Sequence, residues 1–100
     1  MPYAIITKDK TGSASLRETH QSAHKKYLDE HKHLLLAAGA MLDDEGEAAH
    51  GGILLVDVES HEEAKAFVHH DPFWVAGLFE TVVITRWRKA FFNSKRLVDL

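Results

Sequence analysis

The sequence predicts an α+β fold with the element order strand, helix, strand, strand, helix, strand. Four short runs rich in β-branched and other apolar residues supply the strands, and two stretches with apolar residues at steps of three and four supply the helices. Glycine, proline and acidic turns separate them. At 100 residues the chain is expected to form one domain, since domains commonly run about 100–150 residues. Hydrophobic residues at 45% and charged residues at 27% lie near globular averages and rule out wholesale disorder.

Tyr3-Ala4-Ile5-Ile6-Thr7 reads as a buried strand, and the polar stretch Lys8 to Ser13 as a loop. Ser15-Leu16-Arg17-Glu18 fits a capping box, in which the serine and glutamate side chains satisfy free amides of the first turn. Leu16, His20, Ala23, Tyr27 and His31 then share one helical face, with His24 and Leu28 at its border. Leu34 to Leu42 is a nearly continuous apolar run, interrupted by Gly39 and followed by the turn Asp43-Asp44-Glu45-Gly46. Gly51 to Val58 is the next strand, whose paired glycines signal close approach by another backbone or a ligand.

A second capping box, Ser60-His61-Glu62-Glu63, opens a helix with Ala64, Phe67 and Val68 on its inner side. Pro72 ends that helix, because the residue before a proline is pushed out of helical space, and Asp71 therefore stands at a break. Phe73 to Gly77 reads as an aromatic-rich turn. Phe79 to Arg88 alternates, with Thr81, Val83, Thr85 and Trp87 on one face and Val82, Ile84 and Arg86 on the other. Residues 1–90 make the domain. Residues 91–100, with Phe91, Phe92, Leu97 and Val98, form an extension expected to pack on the domain or on a second subunit.

This order is that of the ferredoxin-like βαββαβ arrangement, with both helices on one face of an antiparallel sheet. The strands carry apolar residues on both sides, so the other face needs cover. A second copy stacked sheet against sheet is the expected partner, giving a homodimer.

Composition narrows the function classes. A formal charge of −3, from 15 acidic and 12 basic residues, argues against binding nucleic acid through phosphates. Cysteine is absent, which removes thiol catalysis, thiolate zinc sites and iron–sulfur clusters. No apolar run approaches the roughly 20 residues of a membrane helix, and MPYAIITKDK lacks the order of a signal peptide, so a cytoplasmic protein without a membrane partner is expected.

Eight histidines offer base or ligand chemistry near neutral pH. His24, at the edge of an apolar helical face, suits a general base. Asp71 suits the carboxylate that fixes its tautomer and stabilises the imidazolium. The same spacing fits a boundary histidine and a helix-end carboxylate. Arg17, seven residues before His24, is placed to hold a phenolate or enolate oxygen, or else a surface ion pair. Phe73, Trp74, Phe79 and Trp87 can wall a pocket for a planar ligand or simply fill the core. His20 and His24 stand one turn apart, the separation of a helical metal-ligand pair, but no carboxylate follows at a matching step, and no metal is expected.

Arg17, His24-Lys25-Lys26-Tyr27-Leu28 and Ala38-Gly39-Ala40-Met41, with Asp44 and Gly46, resemble the first half of the YCII family pattern. Ser60, Glu62-Glu63-Ala64, Asp71-Pro72, Gly77-Leu78 and Trp87 resemble the second half. The resemblance implies a dimeric α+β barrel in which His24 and Asp71 form an active-site dyad and Arg17 contacts substrate. It also implies a cofactor-free enzyme acting on a small aromatic or quinone-like substrate, most concretely the dehydrochlorination of a chlorinated hydroxyhydroquinone in aromatic-compound degradation. Pro72, Phe73 and Trp74 would then shape the pocket around the ring. The alternative is a non-catalytic dimer of the same family that binds a small ligand.

Overall fold

In a computed structural model describing residues 1–99, β1 (Tyr3–Asp9) is the strand about which the rest is arranged. It pairs with β3 (Ala49–Val56) on one side and β4 (Phe79–Arg86) on the other, and β2 (Leu35–Leu42) completes a sheet of order β2-β3-β1-β4. All three pairings are antiparallel. The α+β class and the ferredoxin-like order are as expected. No helix is long and apolar enough to cross a membrane among the described residues.

Register decides which side chains share a face. Leu54, Ile5 and Ile84 lie abreast on β3, β1 and β4, as do Val56 and Tyr3. These residues face the helices, and with Val58, Ala64, Phe67 and Val68 they make the core. The next row, Ile53, Ile6 and Val83, points to the opposite face, where alternation along a strand must send it. There Ile53 is 48% and Val83 51% exposed, so this sheet face is apolar and uncovered in the single chain.

α1 (Ala14–Glu30) begins earlier than the capping pattern suggested. Ser13 holds the N-cap position, its hydroxyl donating back to the Lys10 carbonyl, so Ser15 lies inside the first turn and caps nothing. Of the expected helical face, Leu16, His20, Tyr27 and His31 are partly covered. Ala23 is exposed, whereas Arg17, His24 and Leu28 are partly covered, because the helix seats its Arg17–His24–Leu28 side over the sheet. β1 runs two residues beyond the expected strand, so Lys8 and Asp9 are not loop. Asp9 tolerates burial as the last strand residue because Arg17 meets its carboxylate.

α2 (His61–His69) starts as expected, with the Ser60 hydroxyl accepting from the Glu63 amide and Ala64, Phe67 and Val68 buried. The aromatic stretch after Pro72 is a one-turn helix, α3 (Pro72–Val75), rather than a turn. Pro72 lies within its first two positions, where a missing amide costs nothing, and Asp71 is its N-cap. Beyond β4, β5 (Phe91–Phe92) and β6 (Lys95–Arg96) form a small hairpin, with Asn93 and Ser94 at φ 53° and 63° as a two-residue primed turn requires. Phe91 is 60% exposed. Of the extension, Leu100 lies outside the described residues.

Tyr27 ties the two long helices together by donating its hydroxyl to the Phe67 carbonyl at 2.7 Å. Burial, then the nearby Asp71 carboxylate, push the phenol up from 10.0 to about 12. The folded chain holds this proton more tightly than the unfolded one. The contribution is therefore complete below pH 10.0 and is lost as pH rises toward about 12. Tyr27→Phe should be less stable by about 1 kcal/mol near neutrality, from the lost hydrogen bond. Denaturant unfolding should show that gap narrowing above pH 10.0, and a gap constant through the alkaline range contradicts the assignment.

Candidate active site

The sequence places Asp71 where two helices meet end to end, and the fold converts that break into a fixed carboxylate. Asp71 is 2% exposed and has an extended backbone, φ −67° and ψ 129°, as an N-cap requires. Its Oδ1 accepts from the Phe73 amide at 2.9 Å. Both carboxylate oxygens also lie within reach of His24 Nδ1, at 2.8 and 2.9 Å. A carboxylate can only accept, so Nδ1 carries a proton, and in the neutral ring Nε2 holds the free lone pair. Nε2 has no hydrogen-bond partner among the described residues.

Phe73 follows inward from the cap. Its ring lies against the His24 imidazole, with centroids 4.0 Å apart and planes 12° from parallel, and its edge meets Phe79. Successive residues of a helix point about 100° apart, so the turn that buries Phe73 sends Trp74 outward. Trp74 is 39% exposed and stacks on His69 at 4.1 Å. Neither Trp74 nor Pro72 lines the cavity beside His24, against the expectation that both would shape it. Pro72 acts one step removed, by starting the turn that carries Phe73.

Arg17 reaches the same place from seven residues, about two turns, further back on α1. Its Nε donates to Asp9 Oδ2 at 2.7 Å, and Nη2 donates to Asp9 Oδ1 at 3.3 Å and to the Gly51 carbonyl at 3.2 Å. The guanidinium carbon stands 4.8 Å from the centroid of Phe73. Three of five N–H groups are thereby used, and the two on Nη1 have no partner among the described residues. The ion pair is thus internal and largely buried, rather than on the surface.

These side chains border a cavity of about 100 Å³ between α1 and the sheet. Arg17, His24, Leu28 and Asp71 line it with Phe73 and Phe79, and its sheet side is built from Ala38 to Ala40 and Gly51-Gly52. The glycines are close approaches, as their pairing suggested: a Cβ on Gly51 would fall 2.2 Å from the Thr7 carbonyl oxygen. His20 is not among the lining residues, and no group of three or more metal-ligating side chains gathers among the described residues. Sequence reasoning missed Asp9, hidden in an apparent loop, and Thr7, which looked like an ordinary strand residue.

A buried pair is costly to break because the surviving charge is left uncompensated. Asp9→Ala should cost about 3 kcal/mol, which lowers the melting temperature by roughly 12 °C or more in a domain of this size. Thermal unfolding followed by circular dichroism checks this, and a fall of only a degree or two would mean that Arg17 finds another partner.

The chain matches the YCII-related domain over residues 1–88. It is 34% identical over 100 residues to Protein YciI of Escherichia coli O6:H1 and to that of Shigella flexneri, matches that cover 91% of this chain and all of each relative. Among solved structures it is similar to 5-chloro-2-hydroxyhydroquinone dehydrochlorinase, TftG, from Burkholderia phenoliruptrix AC1100, in complex with 2,5-dihydroxybenzoquinone. The TM-score is 0.82 and the identity 33%, over 88% of this chain and 94% of that one. A protein from Arabidopsis thaliana, at 14% identity and a TM-score of 0.50 over 92% of this chain and 97% of its own, shares the fold alone. With nearly its whole length accounted for by that domain, the chain belongs to the YCII-related domain family.

Proposed function

We propose that this chain is a cofactor-free enzyme that uses His24 as a general base on a small, planar, polyhydroxylated ring, and that its reaction is dehydrochlorination of a chlorinated hydroxyhydroquinone. The observation that carries the reading is the hydrogen bond from His24 Nδ1 to Asp71, which leaves Nε2 unpaired in a residue lining the cavity. Similarity to a dehydrochlorinase solved with a quinone supports the choice of substrate class.

In this mechanism a ring hydroxyl gives its proton to Nε2, and Asp71 stabilises the imidazolium that forms. The ring takes a proton back at the chlorine-bearing carbon. A second hydroxyl proton then leaves as the ring electrons expel chloride and the carbon–chlorine bond breaks. The net loss is HCl, the product is a hydroxybenzoquinone, and no oxidant is consumed. The free Nη1 of Arg17 faces the developing oxyanion, at a site whose low polarity strengthens that interaction. Phe73 holds the imidazole in plane.

We also assign the uncovered sheet face to a second copy of the chain. Ile6, Ile53 and Val83 form an in-register apolar row there, which stacking two sheets would remove from water.

General-base assistance is worth about 10²–10⁴ in rate. His24→Ala should lose at least that factor in steady-state turnover of a chlorohydroxyhydroquinone while keeping its fold. Asp71→Asn, which preserves an N-cap oxygen, should fall by a similar factor. Unchanged turnover in folded His24→Ala removes the mechanism. Absence of turnover in the native protein despite tight ring binding points to the non-catalytic reading. Light scattering should return twice the chain mass, and the single-chain mass for Ile53→Lys with Val83→Lys. A native protein that runs as a monomer sinks the dimer.

A further inference from the structure

Thr7 sits on β1 with 2% of its surface exposed, and its hydroxyl makes no hydrogen bond to any described residue. Yet among the described residues no side-chain oxygen or nitrogen is sealed off without a partner. The cavity reconciles the two facts: Thr7 lines it, and the hydroxyl opens into it. An isosteric valine would fill the same position without desolvating a hydroxyl, so an unpaired hydroxyl here is a cost with no structural return.

The neighbours of Thr7 keep that hydroxyl open. Gly52 lies directly across from it on β3, and Ala40 lies beyond on β2, both lining the cavity. A Cβ on Gly52 would stand 3.3 Å from Thr7 Oγ1 and begin to cover it. His24 and Arg17 approach the cavity from α1, whereas Thr7 approaches from the sheet.

We propose that Thr7 is a substrate-binding residue whose hydroxyl bonds a ring oxygen on the sheet side of the cavity, with Gly52 kept small to leave it accessible. A hydroxyl both donates and accepts, so it takes either a ring hydroxyl or a quinone carbonyl and can follow a ring from one state to the other. The assignment rests on the proposed ring-substrate role of the cavity. It adds an oxygen contact to those of His24 and Arg17, so a ring with oxygens toward both layers is favoured over a simple phenol.

The test is titration of 2,5-dihydroxybenzoquinone against native protein, Thr7→Val, Thr7→Ser and Gly52→Ala, each checked for an unchanged melting temperature. Thr7→Val should bind about tenfold more weakly, the cost of one lost hydrogen bond with its partner left unsatisfied. Thr7→Ser should restore affinity to within about threefold of native, which a packing role for the threonine methyl would not do. Gly52→Ala should also weaken binding, and it carries the test if Thr7→Val does not fold. Equal affinity in native protein and Thr7→Val, or no rescue by serine, overturns the assignment while leaving ring binding intact. Failure of the native protein to bind the probe overturns both.

Discussion

The buried carboxylate of Asp71 is the constraint on which the arrangement depends. An anion removed from water must be met by donors on all sides, and here the donors come from two different elements: the Phe73 amide at the start of α3 and the His24 ring on α1. Satisfying the charge therefore docks α1 against the junction between α2 and α3, and turns the imidazole to a single orientation. Phe73, whose amide is held by the same carboxylate, brings its ring flat against that imidazole. One local break in the chain, made by Pro72, thus sets a cap, a helix packing and the exposure of one ring nitrogen.

A second buried charge is arranged on the same logic. Asp9 and Arg17, of which Arg17 lines the cavity, neutralise each other, so the guanidinium keeps its position without needing a ligand. Three of its N–H groups are bound within the protein, which leaves the two on Nη1 without a partner among the described residues. The sheet side contributes little bulk, because alanine and glycine occupy β2 and β3 where they pass beneath. The result is a mostly apolar cavity with a few fixed polar groups along it.

Elements with strong periodicity and unambiguous punctuation were legible in the sequence. The four main strands, the capping of α2 by Ser60 and the inward residues Ala64, Phe67 and Val68 followed from alternation, helical spacing and cap chemistry. The pairing of His24 with Asp71 was a candidate from residue chemistry, and the resemblance to the YCII family raised it above the bland reading that spacing alone favoured. What could not be read depended on contacts distant in sequence. Asp9 looked like loop because its partner Arg17 becomes visible as such only once strand and helix are packed. The facing of α1 was misjudged at Ala23 because a helix of weak amphipathicity is oriented by Asp71 and Asp9 rather than by its own apolar stripe. The β5–β6 hairpin was missed because Asn93-Ser94 lacks the glycine that usually announces a primed turn. Trp74 was placed in the pocket because Phe73 to Gly77 read as an irregular turn, whereas a helical turn separates adjacent side chains.

In the proposed mechanism Asp71 fixes His24 in the tautomer that leaves Nε2 free to accept a proton. Two-bond nitrogen–proton correlation spectra of ¹⁵N-histidine-labelled protein, with His24 assigned by comparison with His24→Ala, read that tautomer directly. The expected result is a neutral ring protonated at Nδ1 that reverts toward the usual mixture in Asp71→Ala. A His24 protonated at Nε2 in the native protein, or one indifferent to the loss of Asp71, would contradict it.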